Sequence, residues 1–233
     1  MCGRFTLKTR GEVLAEHFGL PEVPELVPRF NIAPSQPVAV VREGAEGAGR
    51  ELVGLRWGLI PPWADDPAIG HRMINARAET VAERPAFRAA LRRRRCLVVA
   101  DGFYEWRRQD GRKQPFYFRL KDGGPFAFAG LWERWQKGDG PIESCTLITT
   151  EANDLVGPVH DRMPVVLDGP EAEAMWLSKD VEVSEAEGLL IPFPSERVSV
   201  APANPAVNRA GVEGPELIVA ADAPLTPPSD TLF

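Results

Sequence analysis

The second residue of the chain is a cysteine, in the opening Met1-Cys2-Gly3-Arg4-Phe5-Thr6. Removal of an initiator methionine is favoured when the next residue is small, and cysteine is small. Cys2 would then carry a free α-amine and a thiol on adjacent carbons. Such an amine ionises near about 8 and a thiol near about 8.5, so both have a nucleophilic fraction around neutral pH. The amine condenses with an aldehyde to an imine, and the thiol can close on the imine carbon. The product is a five-membered thiazolidine, more durable than the imine. Retention of Met1 would lock the amine into a peptide bond and prevent this ring.

Three further residues, singled out by the family resemblance given below, have side chains suited to such chemistry. Asn75 can hydrogen-bond sugar oxygens or position the Cys2 amine, and it has no charge to titrate. Glu105 lies between Tyr104 and Trp106. An apolar wall there would raise its pKa, and a carboxyl near neutrality can shuttle protons as a carbinolamine forms and dehydrates. His160 follows Pro158-Val159, and its near-neutral pKa suits opening a sugar ring to its aldehyde. Each also has a plainer reading. Asn75 can be a turn or cap residue, Glu105 the solvent side of an alternating strand, and His160 a structural histidine.

Cations and aromatics supply a candidate binding surface. Residues 72–95 hold eight arginines and two glutamates, a local net of +6. Arginine gives bidentate contacts to phosphates, and backbone contacts need no base identity. Trp57, Trp63, Trp106 and Phe103 offer faces for base stacking, and Trp63, after Pro61-Pro62, is the surface candidate. Arg92 to Arg95 also read as a solvated helix end favoured by the dipole.

The elements that must position these residues are short. The 23 prolines in 233 residues are about twice the usual share and break the chain into small pieces. Apolar runs predict strands at Val38–Val41, Leu52–Trp57, Leu97–Ala100, Phe116–Leu120, Phe126–Ala129, Cys145–Thr149 and Val165–Leu167. Capping boxes predict helices opening at Thr9-x-x-Glu12, Thr80-x-x-Glu83, Asp168-x-x-Glu171 and Ser184-x-x-Glu187. The second is expected to run through Phe87 and Leu91, and the first to stop at Gly19. Strands and helices mix without βαβ alternation, which argues for α+β with a mostly antiparallel sheet. Residues 211–233 read as a loosely held tail.

Composition bounds the rest. There is no run of 18 apolar residues for a transmembrane helix, and no secretory signal is read at the N-terminus. Cys2, Cys96 and Cys145 are far apart and odd in number, which fits a reducing compartment. His17, His71 and His160 share no metal-ligand spacing, and no glycine-rich phosphate loop precedes a helix. No metal or cofactor is therefore expected. The formal net charge is −6. The C-terminal quarter, residues 180–233, contributes −7, so residues 1–179 carry +1.

The words around Cys2 accumulate along the chain: Cys2-Gly3-Arg4-Phe5, Phe30-Asn31-Ile32-Ala33-Pro34, Arg56-Trp57-Gly58-Leu59-Ile60-Pro61-Pro62-Trp63 and Ile74-Asn75-Ala76-Arg77-Ala78-Glu79-Thr80. Arg95-Cys96-Leu97, Gly102-Phe103-Tyr104-Glu105-Trp106, Phe128-Ala129-Gly130-Leu131-Trp132-Glu133 and His160-Asp161-Arg162-Met163-Pro164 follow. This ordered set resembles the SOS-response-associated peptidase (SRAP) family, the abasic-site shield proteins. The resemblance implies one compact α+β domain over residues 1–218, with a β-rich, barrel-like core, flanking helices and a tail at 219–233. It implies covalent capture of abasic sites in single-stranded DNA through mature Cys2, with Cys2, Asn75, Glu105 and His160 as the active site. It also implies that Arg4, Arg77 and Arg162 contact phosphates flanking the lesion.

An AP-lyase side reaction and peptidase-type removal of Met1 belong to the same expectation. So do a monomeric state, no membrane partner, and a cytoplasmic location that becomes nucleoid-associated on damaged DNA. Two other classes stay open on the residues alone: an N-terminal-nucleophile hydrolase of peptides or amides, and a non-enzymatic single-strand binding module.

Overall fold

The computed structural model describes residues 2–44, 49–109 and 111–219. It is a single α+β domain in which two sheets share one core. The strands are β1 (Arg4–Leu7), β2 (Arg29–Ile32), β3 (Pro37–Glu43), β4 (Arg50–Trp57), β5 (Asn75–Arg77) and β6 (Arg95–Ala100). They continue with β7 (Gly102–Gln109), β8 (Arg112–Leu120), β9 (Phe126–Trp135), β10 (Ile142–Glu151), β11 (Arg162–Pro164) and β12 (Val198–Pro202). The α-helices are α1 (Gly11–Phe18), α2 (Arg88–Arg93), α3 (Gly169–Leu177) and α4 (Val183–Glu187).

One sheet closes on itself. Its order β10-β4-β3-β6-β9 returns to β10 through the β9–β10 pairing. The result is a five-stranded barrel, antiparallel except where β10 runs parallel to β4. Closure leaves these strands no free edge, and β6 is buried along its whole length. The expected barrel-like, mostly antiparallel core is therefore present. The other sheet has the order β12-β8-β7-β1-β2. Phe5 of β1 locks the two together, its ring 5.2 Å from Trp57 and 5.7 Å from Phe128, both edge-on.

The other face of the second sheet is covered by the chain's C-terminal segment. Tyr104, Tyr117, Ala203, Val207 and Leu217 form a second apolar cluster. Glu213 accepts the backbone N–H groups of Phe30 and Asn31 at 2.6 and 3.1 Å. This corrects the loose tail expected from residue 211: residues 211–219 are packed against β2 and the second cluster. The remainder of that expectation, 220–233, lies outside the described residues.

Local expectations fail where a side chain has a stronger tertiary partner. Thr9 does not cap α1; its hydroxyl donates instead to the buried Asp101 at 2.8 Å. Gly19 does end that helix, in the left-handed conformation at φ 62°. Asp168 precedes α3 without capping it and pairs with Arg197. Ser184 lies inside α4 rather than before it. The single helix expected from Thr80 through Leu91 is a short 3-10 turn at Ala78–Thr80, then turns, then α2. Pro85 lies between them, where it lacks an N–H and disfavours helical geometry at Arg84. The run Val165–Leu167 is buried but is not a strand of its own; β11 precedes it and Val166 makes only a bridge to Phe128.

Candidate active site

Cys2 precedes β1, and β1 is held on both sides. It pairs with β2 through Phe5 and Ile32, and with β7 through Arg4–Tyr104, Phe5–Phe103 and Thr6–Gly102. The buried Asp101 then pins the far end of β1. It accepts the Lys8 and Thr9 backbone N–H groups at 2.6 and 2.8 Å and the Thr6 hydroxyl at 2.6 Å. Gly102 matters to this knot: a Cβ there would lie 2.1 Å from the Tyr117 hydroxyl oxygen, which sits 2.9 Å from the Thr6 hydroxyl.

Cys2 itself is fully buried, and its thiol lies 3.7 Å from the Arg4 carbonyl, which can accept its proton. Burial, and then the negative charge of Glu105, push the thiol pKa far up. The thiol is therefore a neutral group at physiological pH. Asn75 comes to it from the barrel. β5 pairs parallel to β10, with Asn75 opposite Leu147, and the Asn75 amide donates to the Cys2 carbonyl at 2.8 Å. The Asn75 Oδ1 atom is buried without a hydrogen-bond partner among the described residues. It is an acceptor held within the site.

Glu105 lies on β7, on the same strand face as Phe103, and is 1% exposed. Alternation alone permits the solvent side; the second sheet's packing on the barrel turns this face inward. Burial raises its carboxyl pKa to about 7, against the opposing pull of the chain's amino-terminal charge. His160 follows a turn, and its Nδ1 accepts the Arg162 backbone N–H at 3.0 Å. That places the proton of the neutral ring on Nε2. The same Nδ1 lies 2.9 Å from the exposed Asp161 carboxylate, which can receive Nδ1–H when the ring is protonated. Burial first, and then the amino-terminal charge, lower the His160 pKa.

Glu105 and His160 line one open pocket of about 490 Å³ together with Arg4, Trp106, Arg108, Lys113 and Asn208. Glu105 and His160 thus face one opening, while the buried Cys2 is held by the Asn75 amide and lies near enough to Glu105 to feel its charge. The family model described as SOS response associated peptidase (SRAP) matches residues 1–210. The chain belongs to the SRAP family.

Relatives agree over nearly the whole length. The abasic site processing protein YoqW of Bacillus subtilis (strain 168) is 44% identical over 225 residues, covering 94% of this chain and 99% of that protein. The abasic site processing protein HMCES of Xenopus tropicalis is 32% identical over 222 residues, covering 83% of this chain and 66% of that protein. A crystal structure of a protein from Bacteroides thetaiotaomicron superposes with a TM-score of 0.85 at 26% identity, covering 94% of this chain and 100% of that one.

The cations of this SRAP chain lie in several different settings. Arg4 is half-buried at the pocket, and burial lowers its pKa. Arg77 is exposed at the end of β5. Arg162 is engaged: it forms a bidentate pair with Glu79 at 2.5 and 2.9 Å and donates to the Thr149 carbonyl at 2.6 Å. Trp63 is 53% exposed but lines a different pocket, with Asp65, His71 and Arg72. Within the arginine-rich stretch, Arg94 pairs with Glu133 at 2.7 Å. Arg95 is buried on the carbonyls of Leu91, Trp176, Ser178 and Val181.

Arg108, Lys113 and Asn208 are pocket residues that sequence reasoning missed. The first two are paired across the β7–β8 hairpin, and Asn208 accepts the Trp106 indole N–H at 2.6 Å. A hairpin reading of Glu105–Lys113 would have placed Arg108 opposite Lys113, but Asn208 has no local signal. Among the described residues no group of three or more His, Cys, Asp or Glu side chains is arranged to hold a metal ion, and no helix is long and apolar enough to cross a membrane.

Proposed function

We propose that this protein recognises abasic sites in single-stranded DNA and captures them covalently through Cys2, as part of the response to DNA damage. The observation that carries the reading is that Cys2, held by Asn75 and under the charge of Glu105, is linked through Glu105 to a pocket that His160 also lines and that Arg4, Arg108 and Lys113 rim. The names of the relatives support the substrate class.

Removal of Met1 comes first, because it frees the Cys2 amine. An abasic deoxyribose opens to a C1′ aldehyde, with His160 placed to move the ring proton. The Cys2 amine adds to C1′, giving a neutral carbinolamine. Glu105, protonated about half the time near neutral pH, gives its proton to the carbinolamine hydroxyl. Water leaves and an iminium remains. The Cys2 thiol then adds to the iminium carbon, its proton passes to the Glu105 carboxylate, and the thiazolidine closes. Glu105 ends as it began. Asn75 holds the Cys2 carbonyl throughout, and its buried Oδ1 is placed to accept from the amine or a sugar hydroxyl. The thiol need not be a free thiolate, because its proton leaves as the bond forms.

The chemistry also explains a lyase side reaction. An iminium that the thiol does not trap acidifies the C2′ proton, and its loss expels the 3′ phosphate by β-elimination. The decisive test is a denaturing gel with an abasic and an intact single strand. The wild type is expected to give a denaturation-resistant adduct with the abasic strand only. Cys2→Ala keeps an α-amine but no thiol, so it is expected to lose the stable adduct and leave strand cleavage in its place. An equal yield of stable adduct from Cys2→Ala would refute the thiazolidine; no adduct on the denaturing gel, with equal retention of intact and abasic strands on a native gel, would favour a plain binding module.

A further inference from the structure

A second cationic pocket has no part in the chemistry above. It measures about 70 Å³ and is lined by Arg42, Arg92, Arg93, Arg95, Trp132 and Lys179, with Leu177 and a single acid, Glu43. Its walls come from β3, α2, β6, β9 and the end of α3, so it shares no residue and no element with the pocket of Glu105 and His160.

The charges here are not balanced. Arg42 is neutralised by Glu51 at 2.7 Å and Glu143 at 3.1 Å, and its guanidinium lies 4.3 Å from the centre of the Trp132 ring. Arg95 is different. Its guanidinium is buried and spends its donors on four backbone carbonyls, and among the described residues no carboxylate pairs with it. Arg92, Arg93 and Lys179 likewise have no carboxylate partner among the described residues. Four positive charges therefore converge against one Glu43. A buried cation without a counter-charge is costly, and an anion entering the pocket relieves that cost. The C-terminal end of the six-residue α2 supplies only partial negative charge.

Size selects the ligand. Pockets for small molecules begin near about 300 Å³. One of about 70 Å³ holds a tetrahedral oxyanion but not a nucleoside. We propose that this pocket is a second phosphate-binding site, in which Arg92, Arg93 and Lys179 take a single phosphate group and the buried Arg95, its donors held by backbone carbonyls, adds the attraction of its charge from the base. Arginine favours this ligand because its planar donors match phosphate oxygens in pairs. The phosphate can be free, terminal on a strand, or internal to a strand; the charge and volume are the same chemistry in each case.

The test is calorimetric titration with inorganic phosphate at fixed ionic strength. The comparison is wild type against an Arg92→Gln, Arg93→Gln, Lys179→Gln variant whose fold is checked by circular dichroism. The three substituted side chains are solvent-facing or rim groups, so the fold is expected to survive. Saturable binding in the wild type, weakened at least tenfold in the variant, supports the site. Absent or unsaturable binding, or equal affinity in the variant, overturns it. Competition then identifies the source. Displacement by an intact oligonucleotide without terminal phosphate indicates an internal phosphate, and displacement only by its 5′-phosphorylated form indicates a terminal one. Displacement by neither indicates free phosphate. These arms use intact strands, so they read independently of whether Cys2 captures an aldehyde.

Discussion

Glu105 concentrates the opposing demands of fold and chemistry in one carboxyl. Burial raises its pKa from about 4.5 in the unfolded chain to about 7. The native state therefore holds a proton that the unfolded state has lost across that interval. Stability falls as pH rises from about 4.5 to 7 and is flat above it, by on the order of 3 kcal/mol in total. Glu105→Gln removes the titration. Its stability, followed by urea denaturation from pH 5 to 8, is expected to lack this slope and to exceed wild type at pH 8. The same substitution removes the proton that dehydrates the carbinolamine. Wild-type crosslinking is expected to level off between about 7 and 8, where loss of the Glu105 proton offsets the gain in free amine, and to fall above about 8, whereas Glu105→Gln is slower by about 10²-fold, within the usual range for general acid catalysis, and keeps rising until the amine is free. A variant that crosslinks at the wild-type rate with an unchanged pH profile would remove Glu105 from the mechanism.

At the scale of elements, the reach of Cys2 depends on β1, and β1 depends on Asp101. This carboxylate takes two backbone N–H groups and two hydroxyls from Thr6, Lys8 and Thr9. Asp101→Asn places an amide NH₂ among donors that then lack an acceptor. A cost of about 2–4 kcal/mol is expected in chemical denaturation. Crosslinking should slow even at a temperature where the fold is intact, because Cys2 no longer has a fixed strand behind it; an unchanged midpoint and rate would show that β1 is held by pairing alone. Asp101 also shows what was not legible in the sequence. The barrel strands were, because runs such as Leu97–Ala100 and Phe126–Ala129 are apolar on both faces. β1, β2, β7 and β12 were not, since Arg4, Asn31, Glu105 and Ser199 interrupt them and their pairing is entirely tertiary. The capping box at Thr9 was misleading for the same reason: a distant buried carboxylate outcompeted the local backbone. The four candidate residues could be named from their ordered motifs, whereas Arg108 and Lys113 needed the hairpin that pairs them.

The whole molecule carries −6, which seems to oppose a polyanionic partner. The acidic excess, however, belongs to residues 180–233, and the pocket of Glu105 and His160 is edged by Arg4, Arg108 and Lys113, with Arg77 exposed on β5. If the protein captures DNA as proposed, those four cations set the electrostatic part of the capture. Each phosphate neutralised on a single strand contributes about −0.7 to the slope of log K against log salt, so four give about −3. At protein concentrations below saturation, the initial crosslinking rate is expected to fall about 60-fold between 50 and 200 mM salt. The final yield after long incubation should hold, because a thiazolidine releases no counterions once closed. Arg108→Ala with Lys113→Ala should flatten the slope by about 1.4 and leave the final yield in place. Gel time courses across a salt series separate the two quantities. A yield that falls as steeply as the rate would mean that charge, and not the bond to Cys2, holds the strand. A covalent trap needs only enough positive surface to seat an aldehyde beside the amine, so a small basic rim on an acidic protein is sufficient for the task.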